Sequence, residues 1–274
     1  MRVFRVAFRL SGFLLAVALL VPLQVPLMLV PRAWPYVPIM FHRLMLRVMG
    51  VRLRLTGPLP QPGTLIVANH LSWFDIVVTG ALPALSFVAK SEVKGWPLFG
   101  QLAMLQRTLF VDRRRCRHNK TDGTALAARL HKGDSIVIFA EATNSDGIKV
   151  LRFKSTLLAG IEGAPHVPVQ AMTIAYRRVH NMVMGRRQRM AYAWLGDIAL
   201  LPHFYFMLAA PPSTVEITFH HALPDALKSD RKLMTRALHW QVAQGLEDMT
   251  KGRPQALAAP TFNAAPLVKT VEKV

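Results

Sequence analysis

The sequence predicts an α/β fold, a mixed sheet flanked by helices, with a hydrophobic membrane anchor at its N-terminus. Three observations predict it. Short apolar runs alternate with helix-length segments through residues 37–250. Residues 10–30 carry no charge and suffice for a bilayer-crossing helix, which needs about 20 residues. The 274-residue chain is 52% apolar yet carries a formal charge of +19. High basic charge with positive mean hydropathy points to an anionic membrane surface. No helix-turn-helix or aromatic-basic stacking motif is present, so no nucleic-acid partner is expected.

Residues 1–36 read as the anchor. Arg2, Arg5 and Arg9 precede the apolar run and Arg32 follows it. A cleaved signal would have a shorter apolar core and a small-residue cleavage site. Pro22 and Pro26 each remove a helix hydrogen bond, so a kinked span and a re-entrant hairpin both fit. Lys and Arg accumulate after the anchor, beginning at Arg43, Arg47, Arg52 and Arg54. The positive-inside rule therefore puts the main domain on the cytoplasmic face of the inner membrane.

Val37 to Met49 has helical spacing and suits an amphipathic helix lying on the membrane. Strands are predicted at Thr64–Ala68, Leu85–Ala89, Thr108–Val111, Ser135–Ala140, Val167–Tyr176 and Thr214–Phe219. Asp122 to His131 forms a helix closed by Gly133, and Ser229 to Thr250 another, with Ser229 or Asp230 as N-cap. Arg186 to Arg189 reads as a solvated basic loop, and Phe204 to Leu208 as buried core or an interfacial aromatic patch. Residues 251–274, rich in Ala and Pro, read as a disordered tail. The lone cysteine, Cys116, can form no intrachain disulfide and reads as an incidental thiol. No His or Cys cluster has zinc spacing, so no metal is expected.

The chemistry centres on Asn69-His70-Leu71-Ser72-Trp73-Phe74-Asp75. His70 follows a strand, and ligands in open α/β sheets bind near strand carboxyl ends. If Ser72 caps the next helix, Asp75 falls in its first turn and can fold back to the imidazole. A carboxylate on one ring nitrogen fixes the tautomer and leaves the other to take a proton from a hydroxyl. Spacing alone equally fits a capping box in which Asp75 is only a helix-terminus carboxylate.

Asn69-His70 with Ser72 and Asp75 resembles the NHxSxxD block of the PlsC-type glycerolipid acyltransferases. Phe110-Val111-Asp112-Arg113 is similar to their second block. Phe139-Ala140-Glu141-Ala142-Thr143 resembles the third, FPEGT, and Val167-Pro168-Val169 the fourth. Lys90, Gly95, Pro97 and Gly100 match the punctuation between the first two. The resemblance implies that His70 is a general base and Asp75 its orienting partner. It places Asn69, Ser72, Lys90, Arg113, Glu141, Ala142 and Thr143 around the substrates, Arg113 as a phosphate ligand and Glu141 toward the acceptor. It implies an acyl thioester of acyl-carrier protein or coenzyme A as donor, a lysolipid hydroxyl as acceptor and no bound cofactor.

The third block departs from the pattern: Ala140 replaces Pro, Ala142 replaces Gly, and Asn144 replaces an Arg that would pair with an acceptor phosphate. Residues 141–147, followed by Phe153-Lys154-Ser155, resemble the lyso-ornithine-lipid branch of the family, whose acceptor has no phosphate ester. Two acceptors therefore stand side by side, 1-acyl-glycerol-3-phosphate and lyso-ornithine lipid. A non-catalytic basic membrane-surface protein is the rival from another class.

Overall fold

The structure, a computed structural model, describes residues 2–30, 33–83, 85–112, 120–164, 166–196 and 198–253. Arg113, Cys116 and the tail beyond Arg253 lie outside the described residues.

The elements run α1 (Arg2–Leu27), α2 (Tyr36–Met49), β1 (Val51–Thr56), β2 (Leu65–Ala68), α3 (Phe74–Gly80), β3 (Leu85–Lys90), α4 (Phe99–Leu105), β4 (Leu109–Val111), α5 (Lys120–His131) and β5 (Ser135–Phe139). They continue with β6 (Val169–Val179), β7 (Met182–Val183), α6 (Arg186–Tyr192), α7 (Leu200–Ala209), β8 (Ser213–Ala222), α8 (Asp225–Lys228) and α9 (Arg231–Lys251). Short 3₁₀ turns occupy Ser91–Gly95 and Ser155–Gly163.

The sheet order is β1-β8-β6-β2-β5-β3-β4, with β7 beside β6. The sheet is mixed, as predicted. Strand β2 pairs in parallel with both β5 and β6, while β6 and β8 run antiparallel. Strand β2 reads Leu-Ile-Val-Ala and is buried on both faces, so its sequence shows no polar alternation. One face packs under α2, α3 and α7 through Leu46, Phe74, Val78 and Met207. The other packs under α5 and α9 through Leu130, Met234, Leu238 and Val242.

Every predicted strand is present within three residues of its expected ends. Strand β1 escaped prediction, although Val51, Leu53 and Leu55 alternate with Arg52, Arg54 and Thr56. Its exposed arginines fall on alternate positions and read as surface charge, which masks the strand period. Asp230, rather than Ser229, caps α9, accepting from Lys232 N at 2.7 Å and Leu233 N at 3.2 Å.

One local reading changes. Arg186–Tyr192 is a helix, not a loop. Gln188 Oε1 accepts from Gly185 N at 2.9 Å to start it, and buried Tyr192 anchors it. Residues 204–208 belong to α7, which buries Met207 and Leu208 while exposing Leu201 and Tyr205. Helix α1 continues through both prolines, and α2 folds back on it through Phe13, Ala16 and Met45.

Arg9 is also not a flanking membrane charge. It is buried, and its guanidinium donates to Val48 O at 3.2 Å, Met49 O at 2.6 Å, Leu208 O at 2.9 Å and Ala210 O at 2.6 Å. These carbonyls lie at the C-terminal ends of α2 and α7, where helices leave acceptors without intrahelical donors. One side chain thus ties α1 to the rest of the fold.

Candidate active site

The loop after β2 is held at nearly every peptide. Asn69 takes two bonds from β6: Ile174 N donates to its Oδ1 at 2.8 Å and its Nδ2 donates to Ile174 O at 2.9 Å. His70 N donates to Glu141 Oε1 at 2.7 Å, and His70 O accepts from Ser145 N at 2.7 Å. Ser72 is buried and its Oγ accepts from Phe74 N at 3.3 Å. Asn69 and Ser72 therefore brace the loop from within.

Asp75 sits in the first turn of α3, fully buried. Its Oδ2 accepts from Leu71 N at 2.7 Å and Ser72 N at 3.0 Å, and lies 2.9 Å from His70 Nδ1. Its Oδ1 accepts from Tyr176 Oη at 2.8 Å. The N-cap position of α3 falls on Trp73, not on Ser72 as expected, and no side-chain cap bond is made there. One carboxylate thus holds two loop amides and the imidazole together. With donors on every other side of the carboxylate, the network assigns the proton to Nδ1 and leaves Nε2 as the ring's acceptor. The imidazole stacks on Phe139, ring centroids 4.0 Å apart and 13° from parallel. A histidine held this way can take a proton from a hydroxyl and return it to a leaving group.

Burial, reinforced by Asp75, pushes the Tyr176 phenol well above its ordinary range, so it stays a donor. Tyr176 is 101 residues from Asp75 in sequence. No local spacing connects them.

The third block forms the facing loop. Glu141 is buried, and its two oxygens accept from His70 N and Leu151 N at 2.7 and 2.8 Å. Burial pushes its carboxyl up to about 8; the two amides pull it down and Asp75 raises it further. Ala142 has φ +64°, left-handed backbone that favours glycine, where the PlsC-type pattern has Gly. Asn144 Nδ2 donates to Trp194 O at 2.6 Å, and Trp194 N donates to Leu71 O at 2.9 Å. The Trp194 peptide therefore couples the two loops.

His70, Lys90, Ala142, Thr143 and Asn144 line one cavity of about 400 Å³. Lys90 is exposed at the end of β3. Away from these residues the wall is mostly apolar, with Phe13, Leu20, Phe41, Phe99 and Phe204 from α1, α2, α4 and α7, and Arg9, Gln24, His42, Glu92, Gln106 and Thr108 as its polar members. Glu141, Asn69 and Ser72 are not on this wall. Arg113 lies outside the described residues.

Comparison with known proteins identifies the family. Residues 51–176 match the acyltransferase family model. A lyso-ornithine lipid O-acyltransferase from Brucella abortus is 40% identical over 242 residues, covering 85% of this chain and 91% of the relative. The chain belongs to the acyltransferase family. A 1-acyl-sn-glycerol-3-phosphate acyltransferase from Neisseria gonorrhoeae is 28% identical, covering 68% of this chain and 71% of that relative. The fold matches that of the 1-acyl-sn-glycerophosphate acyltransferase PlsC from Thermotoga maritima, with TM-score 0.65, 19% identity and coverage of 93% and 99%. The chain is an acyltransferase, and acyltransferases of this family take the acyl group from a thioester without a metal ion.

Proposed function

We propose that this acyltransferase moves a fatty acyl group from a thioester of acyl-carrier protein or coenzyme A to the hydroxyl of a lyso-ornithine lipid. His70 Nε2 takes the acceptor's hydroxyl proton as the oxygen attacks the thioester carbonyl. The carbon–sulfur bond breaks and the thiolate receives that proton from His70, leaving ester and free thiol. Asp75 holds the imidazole tautomer. The apolar cavity holds the donor's acyl chain, with Lys90, Ala142 and Thr143 near its polar end.

The observation that carries the acceptor choice is Asn144. A guanidinium would offer a bidentate charge to phosphate, whereas this amide is engaged with Trp194 O. Identity of 40% to the Brucella relative, against 28% to the Neisseria one, supports the same reading. Helix α1 is long and apolar enough to cross a membrane. We assign residues 1–36 to membrane attachment and 37–250 to the acyltransferase domain, on the cytoplasmic face of the inner membrane, where the basic surface meets anionic lipids.

The test is acyl transfer by purified protein to lyso-ornithine lipid and to lysophosphatidic acid, side by side. Lyso-ornithine lipid is expected to give the higher kcat/KM, and His70→Ala to abolish turnover. Preference for lysophosphatidic acid overturns the acceptor assignment. Asn144→Arg should shift the ratio toward lysophosphatidic acid; an unchanged ratio means this position does not read phosphate.

A further inference from the structure

The cavity beside His70 opens past two side chains of opposite charge. Among the described residues, the Lys, Arg, Asp and Glu side chains on its wall are Arg9, Lys90 and Glu92. Arg9 is buried and committed to four carbonyls. Lys90 and Glu92 are both exposed, on either side of Ser91. Ser91 Oγ donates to Glu92 Oε2 at 3.3 Å.

Two indoles share the same wall. Trp96 closes the turn that begins at Ser91, and Trp194 lies in the loop after α6. Their ring centroids are 5.9 Å apart and their planes cross at 76°. Each is half-buried, so each ring keeps part of its surface open. Trp194 is fixed beside the catalytic loop: its N donates to Leu71 O at 2.9 Å and its Nε1 to Ile198 O at 2.6 Å. An indole face is rich in π-electron density and attracts a cation.

The sheet register sets these groups at the height of His70. Phe87 on β3 pairs with Val137 on β5. Lys90 and Ala140 stand three residues farther along, and Glu141, the next residue, holds His70 N. Strand β5 separates β3 from β2. Lys90 is therefore about 10 Å across the sheet from the line of β2, at about 4.8 Å per strand. In a lyso-ornithine lipid a 3-hydroxyacyl chain is amide-linked to the α-nitrogen of ornithine, leaving a carboxylate and a side-chain ammonium. From the hydroxyl oxygen to that ammonium is about 10 Å of extended chain, at about 1.5 Å per bond. A hydroxyl at His70 brings the ammonium within reach of Glu92 and the two indoles.

An ammonium placed between a carboxylate and indole faces gains an ion pair and a cation–π contact. A phosphate monoester in the same place would meet the Glu92 carboxylate as a like charge, which selects against it. We propose that Glu92, Trp96 and Trp194 form an ammonium-reading subsite for the acceptor's head group, selecting a head with a cationic side chain. The proposal rests on the reading that the acceptor is a lyso-ornithine lipid, and it names the residues that tell its amine from a neutral side chain.

The experiment measures Kd by calorimetry, in neutral detergent micelles, for N-palmitoyl-ornithine and for N-palmitoyl-norvaline, which keeps the carbon skeleton without the amine. Neither carries the 3-hydroxyl, so neither can be acylated. Binding therefore reads the subsite alone, and turnover on lyso-ornithine lipid and lysophosphatidic acid reports separately on the proposed function. The chain's charge of +19 favours the anionic norvaline lipid at long range, so the opposite preference marks a local site. N-palmitoyl-ornithine should bind about tenfold tighter, the combined scale of a partly exposed ion pair and cation–π contact. In Glu92→Gln, a change at an exposed position, and in Trp96→Leu, that preference should fall toward one. Equal or tighter binding of the norvaline lipid by the unmodified protein overturns the proposal, whether or not the variants fold. So does a preference that survives either substitution.

Discussion

Tyr176 donates to Asp75 Oδ1 at 2.8 Å, opposite the oxygen that faces His70. A strand-β6 phenol thus fixes a carboxylate on α3, and the carboxylate fixes the imidazole.

Tyr176→Phe removes that donor and leaves a buried carboxylate oxygen unpaired. It should cost about 1–3 kcal/mol of stability. It should also lower kcat more than it raises KM, because the acceptor and thioester do not meet Tyr176. Asp75→Asn should cost roughly 10³–10⁴ in kcat, as when a triad carboxylate no longer sets the tautomer. A Tyr176→Phe enzyme with unchanged kcat would show that Asp75 needs no support from β6.

Glu141 makes stability depend on pH with a defined sign. Its carboxyl is raised from an ordinary 4.5 to about 8, so the folded chain keeps a proton that the unfolded chain releases. This contribution is fully present below about pH 4.5 and declines as pH rises through about 8. Glu141→Gln should flatten that decline in urea titrations across the window. Parallel pH slopes for the two proteins would refute the assignment.

Ala142 adopts φ +64° in the loop facing His70. Ala142→Gly should stabilise the protein by about 1 kcal/mol, relief of left-handed strain outweighing the added entropy of the unfolded chain. Thermal melts read this directly. A lower Tm would mean that the methyl group contributes packing worth more than the strain.

Arg9→Met deprives four carbonyls at two helix ends of their donor. The expected loss is on the order of 3 kcal/mol, since hydrogen bonds to charged groups are individually strong. Arg9→Lys should recover only part of it, because an ammonium cannot span the fork. If the Met variant unfolds at the same urea concentration as the unmodified protein, α1 is not fastened by this side chain.

Much of this was legible without coordinates. Apolar runs mark β2 and β5, whose burial on both faces removes polar alternation, and β3, whose first half is buried. The His70–Asp75 spacing marked the candidate catalytic pair because both residues lie within one strand-to-helix turn. Glu141 could be identified as part of the site, but not its geometry: both oxygens engage backbone amides and neither reaches the cavity wall. Asn69 and Ser72 likewise brace the loop, which spacing cannot distinguish from touching substrate.

The sequence by itself determined the α/β class, the apolar N-terminal helix and the His–Asp turn, since each depends on periodicity or on residues a few positions apart. Tertiary structure alone decided that Tyr176 holds Asp75, that Arg9 clamps two helix ends instead of flanking a membrane span, and that Gln24 and His42 share a cavity with His70. Each of those relations joins elements far apart in the chain. Their energy comes from burial and hydrogen-bond geometry, which exist only once the sheet has brought those elements together.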